Sequence, residues 1–330
     1  MALGGETWGW RLCFLVNLPV GVTSFLLCRA WLPAPVPGAS GVRRPLDLPG
    51  ATLLAVGVFG VLFPFVQYDA HHDARLAVLL VPALAVLAGF VAWEHGPGRR
   101  RGYPLIDLGL FRVRSYAAGV ALALVFFSGY TGAPLVLAFF LQDGLGFSPL
   151  QAGLTASAFA VGTIAAAPFA GRLLPRFGSR VLVAGLLSFA VGTAGCAVVA
   201  LTTSGSVAPF AVGLALAGPL LVGGIGGGSV ITPNQALALA EVDVRGGSTA
   251  GGTLQTAQRI GNAVGAAVIT AVFYAAVRGA PATGAPRQEH YGHAYALALA
   301  VSVLLTVAAV LLAARERRGA APPARPEDTS

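Results

Sequence analysis

Residues 115–141 read SYAAGVALALVFFSGYTGAPLVLAFFL and contain no charged side chain. A helix of about 20 apolar residues crosses the hydrocarbon core of a bilayer, where only helices and closed barrels satisfy their backbone polar groups. Similar apolar stretches recur along the 330 residues. The sequence therefore predicts an all-α polytopic membrane protein, a helical bundle with nine transmembrane helices.

Short linkers separate the predicted spans, and they hold proline, glycine and nearly every arginine. The nine spans cover residues 12–31, 48–68, 76–93, 115–141, 151–174, 181–201, 207–231, 251–277 and 294–314. No linker is long enough for a second domain, so residues 1–314 are predicted to form one transmembrane domain. Residues 315–330 are rich in Ala, Pro, Arg and acidic residues, a composition that predicts a flexible cytoplasmic tail.

The overall composition excludes a water-soluble core. Hydrophobic residues make up 56% of the chain and charged residues 10%, against about 25% charged in soluble domains. The net charge of +8 comes from arginines at the ends of apolar runs, which indicates membrane topology and not nucleic-acid binding.

The arginines divide unequally between the two sides of the predicted membrane domain. Sixteen fall on loops of one side, four on the other, and Arg259 lies inside a span. Positive residues accumulate in cytoplasmic loops, so the N-terminus is expected outside and the C-terminus in the cytoplasm of a plasma-membrane protein. An outside start with an odd span count suggests a missing N-terminal part.

Three polar residues of the eighth span, Gln255, Arg259 and Asn262, share one helix face because they lie at positions i, i+4 and i+7. An arginine at membrane depth costs about 3 kcal/mol on insertion scales and usually faces a bundle interior or cavity. One interpretation is the wall of a transport cavity. The alternative is that Arg259 reaches the cytoplasmic interface or pairs with Glu241 or Asp243.

The fourth span contains a cluster of flexible positions near Tyr130 and carries Gln142 at its outer end. Gly129, Gly132 and Pro134 permit a kink, and transporters often place interrupted helices at the binding region. Tyr130 and Gln142 are therefore candidate cavity residues. A tilted helix with a packing kink is the competing interpretation.

A second glycine-rich region lies in the seventh span. It lacks the G-x-x-x-x-G-K-[ST] pattern of a phosphate-binding loop, and its glycines are expected to let helices approach closely, as are Gly261 and Gly265. The glycines of the seventh span are Gly218, Gly223, Gly224, Gly226, Gly227 and Gly228. Pro233, Asn234 and Gln235 follow, where they are predicted to cap the helix or to form a hinge.

Few residues of the sequence form a pattern typical of catalysis or metal binding. The five histidines fall in predicted loops, and neither H-E-x-x-H nor G-x-S-x-G occurs. His71 and His72 lie beside Asp69 and Asp73, but without the ligand spacing of a defined metal site. We expect no enzyme activity, no metal and no cofactor.

The segment Gly171-Arg-Leu-Leu-Pro-Arg-Phe-Gly-Ser-Arg180 connects the fifth and sixth spans. On its own it predicts a tight hairpin, with Gly171 and Gly178 permitting turns and Arg172, Arg176 and Arg180 anchoring it at the anionic inner surface. The pattern G-x-L-x-x-R-x-G-x-R also resembles the gating-loop motif of the major facilitator superfamily. The family usually has an acidic residue where Pro175 stands.

Three other segments resemble the fourteen-helix drug/proton antiporter branch of that superfamily, in the same order along the chain. They are WRLCFLVNLPVG at 10–21, PLIDLGLFR at 104–112 and FSPLQAGL at 147–154. The nine spans then correspond to family helices six to fourteen, with residues 3–5 ending helix five.

The resemblance implies proton-driven efflux of amphipathic, often cationic, small molecules by alternating access. Its partners would be substrate, protons and the lipid bilayer, without a covalent cofactor. It also implies that the proximal half, which usually carries acidic proton-coupling residues, is missing. The alternative is a non-transporting membrane scaffold, an accessory subunit or the inactive remnant of a truncated transporter gene.

Overall fold

The computed structural model describes residues 15, 17–31, 47–71, 78–96, 108–203, 207–243, 246–279 and 287–319. These residues form nine α-helices and no β-strand, which confirms the all-α prediction. The helices are α1 Asn17–Trp31, α2 Leu48–His71, α3 Leu80–His95, α4 Arg114–Phe139, α5 Pro149–Phe177, α6 Ser179–Thr202, α7 Pro209–Leu239, α8 Gly247–Gly279 and α9 Arg287–Gly319. Residues 3–5, 10–14 and 104–107 of the family-like segments lie outside the described residues.

Six of the described helices, α4 to α9, are long and apolar enough to cross a membrane. The second and third predicted spans correspond to the shorter apolar stretches Leu48–Val61 and Leu80–His95. Helix α1 has 15 residues, about 22 Å at 1.5 Å per residue. Helix length and hydropathy therefore support six of the nine predicted spans directly.

The chain divides into two compact units, residues 1–45 and residues 46–330. In the first unit the described helix is α1, which has no buried residue. The Thr23 hydroxyl donates to the Pro19 carbonyl one turn earlier, at 2.7 Å. In the second unit α4 to α9 form a bundle, and the hairpin of α2 and α3 packs through α2 against α8.

The bundle is built from two repeats of three helices, α4–α6 and α7–α9. The second and third helices of each repeat pack against the first helix of the other repeat: α5 and α6 pack on α7, and α8 and α9 pack on α4. The two central contacts, α4 with α7 and α6 with α9, join equivalent helices. Repeats of three helices, related by inverted topology, are the construction found in halves of secondary transporters.

Helix directions alternate along the bundle, as membrane spans require. Helices α4 and α8 run parallel, because Tyr116 bonds to the carbonyl of Ala250 while Gly132, further along α4, meets Ile269. Helices α4 and α9 run antiparallel: Gly129 meets Ser302, and Phe140 stacks on Tyr295 with ring centroids 4.8 Å apart.

Glycines set the helix separations in the bundle, which confirms the expectation of close approach for most of them. A Cβ at Gly224 or Gly228 of α7 would overlap backbone carbonyl oxygens of α5, and one at Gly226 would overlap the backbone of α6. Gly261 and Gly265 of α8 lie in the same way against carbonyls of Leu124 and Ser128 on α4. Gly218 is the exception, since no atom lies within 4 Å of a Cβ built there.

Several predicted boundaries were wrong because helices continue beyond their apolar cores. Helix α7 runs on to Leu239, so Pro233, Asn234 and Gln235 lie inside the helix and do not cap it. Asn234 is buried and donates to the Gly119 carbonyl of α4 at 3.3 Å, an interhelical bond that favours continuation of the helix.

Helix α9 also extends past its predicted limits at both ends. It begins at Arg287, which places His290 and His293 in a helix and not in a loop. It ends at Gly319, so the first residues of the predicted tail are helical, which is consistent with the good helix propensity of Glu and Arg and the preference of basic residues for a helix C-terminus. His71 and His95 are the last residues of α2 and α3, and His72 lies outside the described residues.

Candidate functional site

Tyr130 lies in an aromatic cluster formed by Phe126, Phe127, Phe159, Phe189 and Tyr130 itself. Its ring centroid is 5.4 Å from that of Phe126, 5.8 Å from Phe127, 5.7 Å from Phe159 and 5.6 Å from Phe189. The cluster joins α4, α5 and α6. Phe126 and Phe189 are fully buried, whereas Tyr130 and Phe159 keep partial exposure.

The tyrosine ring has room because α7 carries glycine opposite it. A Cβ at Gly227 would lie 2.6 Å from the ring. Thr163 of α5 lies close to the Tyr130 hydroxyl, and the Thr163 hydroxyl donates to backbone carbonyls of Phe159 and Gly224 at 3.0 and 3.1 Å. Tyr130 thus combines a partly exposed aromatic ring with a hydroxyl close to a polar side chain, a combination that can hold an amphipathic ring system.

The neighbouring residue links the same segment of α4 to α8. The Thr131 hydroxyl donates to the side-chain oxygen of Asn262, and both residues are partly buried. Asn262 therefore faces α4. Of the three residues on the predicted polar face of α8, Asn262 is turned towards the bundle, whereas Gln255 and Arg259 are exposed.

Gln255 and Arg259 are exposed and line a groove between α2 and α8 with a volume of about 520 Å³. Arg259 lies twelve residues after the first residue of α8, about 18 Å along the helix axis. The Glu241 carboxylate, one proposed partner of Arg259, instead accepts a hydrogen bond from Ser115 at 2.7 Å. No described carboxylate lies within salt-bridge distance of the Arg259 guanidinium.

Gln142 lies apart from the other candidates, in the single π-helical turn Phe140–Gly144 that follows α4. Its side chain is exposed, with the amide 3.4 Å from the Ala138 carbonyl. The turn begins six residues after Pro134, which removes the backbone donor for the Tyr130 carbonyl. Such π-turns occur often at functional sites.

The gating-loop motif forms a helix and a one-residue connection, and not an open loop. Helix α5 continues through Gly171, Arg172 and Arg176 to Phe177, and α6 begins at Ser179. Gly178 alone makes the turn, with φ 54° and ψ −137°. The prediction of a tight turn is correct for Gly178 and wrong for Gly171, which is helical.

The three arginines of this motif are all exposed. The Arg176 guanidinium lies 5.3 Å from the centroid of the Phe177 ring. Arg180 borders an apolar groove of about 650 Å³ between α5, α6 and α7. Among the described residues no carboxylate pairs with any of the three.

The four candidate hinge residues all lie inside continuous helices. Gly129 and Gly132 of α4 pack against Ser302 of α9 and Ile269 of α8, and the Ser302 hydroxyl donates to the Gly129 carbonyl at 2.7 Å. Pro134 lies inside α4 and Pro233 inside α7. Their hinge role stays a prediction, whereas the two glycines have a visible packing role.

The structure brings Tyr130 and Asn262 to one region through Thr131, and it places Gln255 with Arg259 in the α2–α8 groove. Gln142 and the gating-loop arginines are elsewhere. No sequence pattern indicates Phe159, Phe189, Thr163 or Thr131 as site residues. The first three lie on helices α5 and α6, and no local pattern pairs them with α4, although the Phe126, Phe127 and Tyr130 spacing marks the α4 side of the cluster.

Comparison with known proteins gives consistent matches. A family model described as Major Facilitator Superfamily matches residues 1–266 and 118–329. The chain is 39% identical over 268 residues to a probable actinorhodin transporter of Streptomyces coelicolor, covering 81% of this chain and 45% of that protein. It is 31% identical over 280 residues to the multidrug resistance protein Stp of Mycobacterium tuberculosis, covering 83% and 49%.

A third relative is the fatty acid resistance protein FarB of Neisseria gonorrhoeae, 31% identical over 192 residues, which cover 57% of this chain and 36% of that protein. The chain spans about half the length, 45% and 49%, of the first two relatives.

Proposed function

The chain belongs to the Major Facilitator Superfamily, and from that premise we propose that it is the distal part of a proton-coupled exporter of amphipathic small molecules. The exporter works by alternating access, in which this bundle rocks against a proximal half around a shared site. Relatives named for multidrug resistance and actinorhodin transport support the efflux of small molecules. Their greater length supports the need for proximal helices.

The observation that carries this proposal is the pairing of inverted three-helix repeats with an aromatic cluster in which Tyr130 and Phe159 keep partial exposure. Transporters of this construction bind substrate near the membrane midplane, at the repeat interface. Tyr130 lies 16 residues after Arg114 in a 26-residue helix, in its middle third. In this proposal the Tyr130 ring contacts the substrate, and the bond between Thr131 and Asn262 holds α4 and α8 in register.

The proposed orientation places the N-terminus outside and the C-terminus in the cytoplasm. The unequal division of arginines, sixteen against four, supports it through the positive-inside rule. In this orientation the one-residue hairpin at Gly178 and its three arginines lie at the cytoplasmic surface, where they gate the cavity. Gln142 then lies at the outer end of α4.

The competing function is a membrane scaffold or an inactive remnant, which the half-length match to the relatives keeps open. Everted membrane vesicles distinguish the two functions. One set would contain the 330-residue chain alone, and a second would contain the chain fused behind the proximal part of the Streptomyces relative. Vesicles acidified inside would be supplied with two amphipathic dyes, one cationic and one a carboxylate.

We expect the fusion to accumulate at least one dye, and a protonophore to abolish the accumulation. Tyr130→Ala in the fusion should slow uptake about tenfold, the equivalent of roughly 1.4 kcal/mol, at unchanged abundance. Phe210→Ala is the matched control, because Phe210 is 75% exposed on α7. A fusion that is present in the membrane but accumulates neither dye would support the scaffold.

A further inference from the structure

The groove between α2 and α8 has two chemically different sides. Its α2 side is entirely apolar and consists of Ala51, Leu54, Ala55, Val58 and Phe59. Its α8 side presents Gln255, Thr256 and Arg259 beside Ile260. With about 520 Å³, it falls within the range of roughly 300–1,000 Å³ found for small-molecule sites.

Arg259 brings to this groove a positive charge that the described protein does not neutralise. Two carboxylates on neighbouring elements are engaged elsewhere. Glu241 accepts from Ser115 at 2.7 Å, and Asp47 at the start of α2 accepts from the Trp93 indole at 3.0 Å. Since a guanidinium at membrane depth costs about 3 kcal/mol even on insertion scales, a bound anion in the groove would be stabilised by it.

We propose that this groove binds a lipophilic monocarboxylate. The carboxylate accepts the forked N–H groups of Arg259, and Gln255, one turn earlier on the same face, supplies an additional amide donor. The apolar part of the ligand lies along the five α2 side chains. The inference rests on the proposed function and extends it, because it assigns an anionic substrate class to Arg259, one of the candidate transport residues, where the family resemblance implies amphipathic and often cationic compounds.

Charge and size both favour this ligand over the alternatives. A cationic amphiphile would meet the Arg259 guanidinium without a described carboxylate nearby to offset the repulsion. An uncharged amphiphile would fill the apolar side but leave the guanidinium unsatisfied. A two-chain phospholipid has an anionic group as well, but its acyl chains exceed a groove of this volume, and the experiment below separates it from the carboxylate.

Direct binding tests the inference without requiring transport. The purified 330-residue chain would be placed in nanodiscs of zwitterionic lipid and titrated with a dansyl-labelled medium-chain fatty acid. The methyl ester and the amine of the same chain length serve as uncharged and cationic probes. We expect the carboxylate to bind at least tenfold more tightly than either of them.

Variants assign that preference to the groove. Arg259→Gln should reduce carboxylate affinity at least tenfold and leave the ester unchanged, whereas Arg259→Lys should retain part of the preference because it keeps the charge but not the fork. Ala55→Phe, which fills the apolar side, should weaken all three probes. Arg315→Gln removes an exposed arginine from α9 and should change nothing, and helix content by circular dichroism checks folding.

Equal affinity for carboxylate and amine, or undiminished carboxylate binding in Arg259→Gln, would overturn the inference. Displacement of the carboxylate by a small mole fraction of anionic phospholipid, with no effect of zwitterionic lipid, would instead identify a lipid site and also overturn it. Carboxylate binding in nanodiscs without any uptake by the vesicle fusion would contradict the proposed function alone.

Discussion

At the scale of single residues, the bundle depends on positions where even one methyl group does not fit. Gly265 of α8 lies directly against the carbonyl oxygen of Ser128 on α4, and Gly261 lies against that of Leu124 one turn earlier. Small residues of this kind let helix backbones approach in membranes, where association depends on packing and not on the hydrophobic effect. The spacing of the two glycines therefore fixes the separation of the helices that carry Thr131 and Asn262.

This contact leads to a stability prediction. Gly265→Ala should lower the free energy of unfolding by about 1–3 kcal/mol, the usual cost of overpacking a close contact. Gly252→Ala is the control on the same helix, since no atom lies within 4 Å of a Cβ there. It should be neutral or stabilising by up to about 1 kcal/mol, because alanine favours helix over glycine.

Unfolding of both variants in mixed detergent micelles, followed by circular dichroism, measures the difference. Equal stabilities of Gly265→Ala and Gly252→Ala would show that α4 and α8 do not approach as closely as the structure indicates.

At the scale of elements, the α5–α6 hairpin turns on one residue. Gly178 has φ 54° and ψ −137°, a combination that residues with a Cβ rarely adopt. Gly171 belongs to the same motif but lies inside α5, with no atom within 4 Å of a Cβ. The two glycines of one sequence pattern thus have different physical roles.

Substitution by alanine separates these roles. Gly178→Ala should lower the free energy of unfolding by about 1–3 kcal/mol, the cost of a strained backbone conformation. Gly171→Ala should leave it unchanged or raise it by up to about 1 kcal/mol. Thermal denaturation of the two variants in the same detergent checks the prediction, and a comparable loss in both would indicate that Gly171 also has a backbone or packing requirement.

The helices were largely predictable from the sequence, because a membrane span is a local property. The cluster around Tyr130 was not predictable in this way. Apolar runs located α4 to α9, but α7 and α9 were predicted too short, since Asn234 and the segment from Arg287 continue helices with polar side chains. The cluster around Tyr130 joins three helices. Its partners depend on the register between helices, which no single span encodes.

At the scale of the whole molecule, the alternation of helix directions determines which helix ends lie on the same face of the membrane. Odd and even helices of the bundle run in opposite directions, so the end of α5 and the end of α6 must lie on opposite membrane faces. The proposed orientation, which rests on the unequal distribution of arginines, places the Gly178 hairpin at the cytoplasm. The relative directions of the helices follow from the fold, whereas the orientation of the bundle across the membrane is inferred separately from the distribution of charge.

Cysteine labelling tests both consequences in intact cells. In a background with the three native cysteines (Cys13, Cys28, Cys196) replaced by serine, Arg176→Cys should stay unlabelled by a membrane-impermeant maleimide until the cells are permeabilised. Thr203→Cys, at the far end of α6, should label at once. Labelling of both before permeabilisation would contradict the alternation, because one helix cannot begin and end on the same face. Labelling of Arg176→Cys alone would preserve the fold but reverse its orientation, and the arginines would then mark the outer surface.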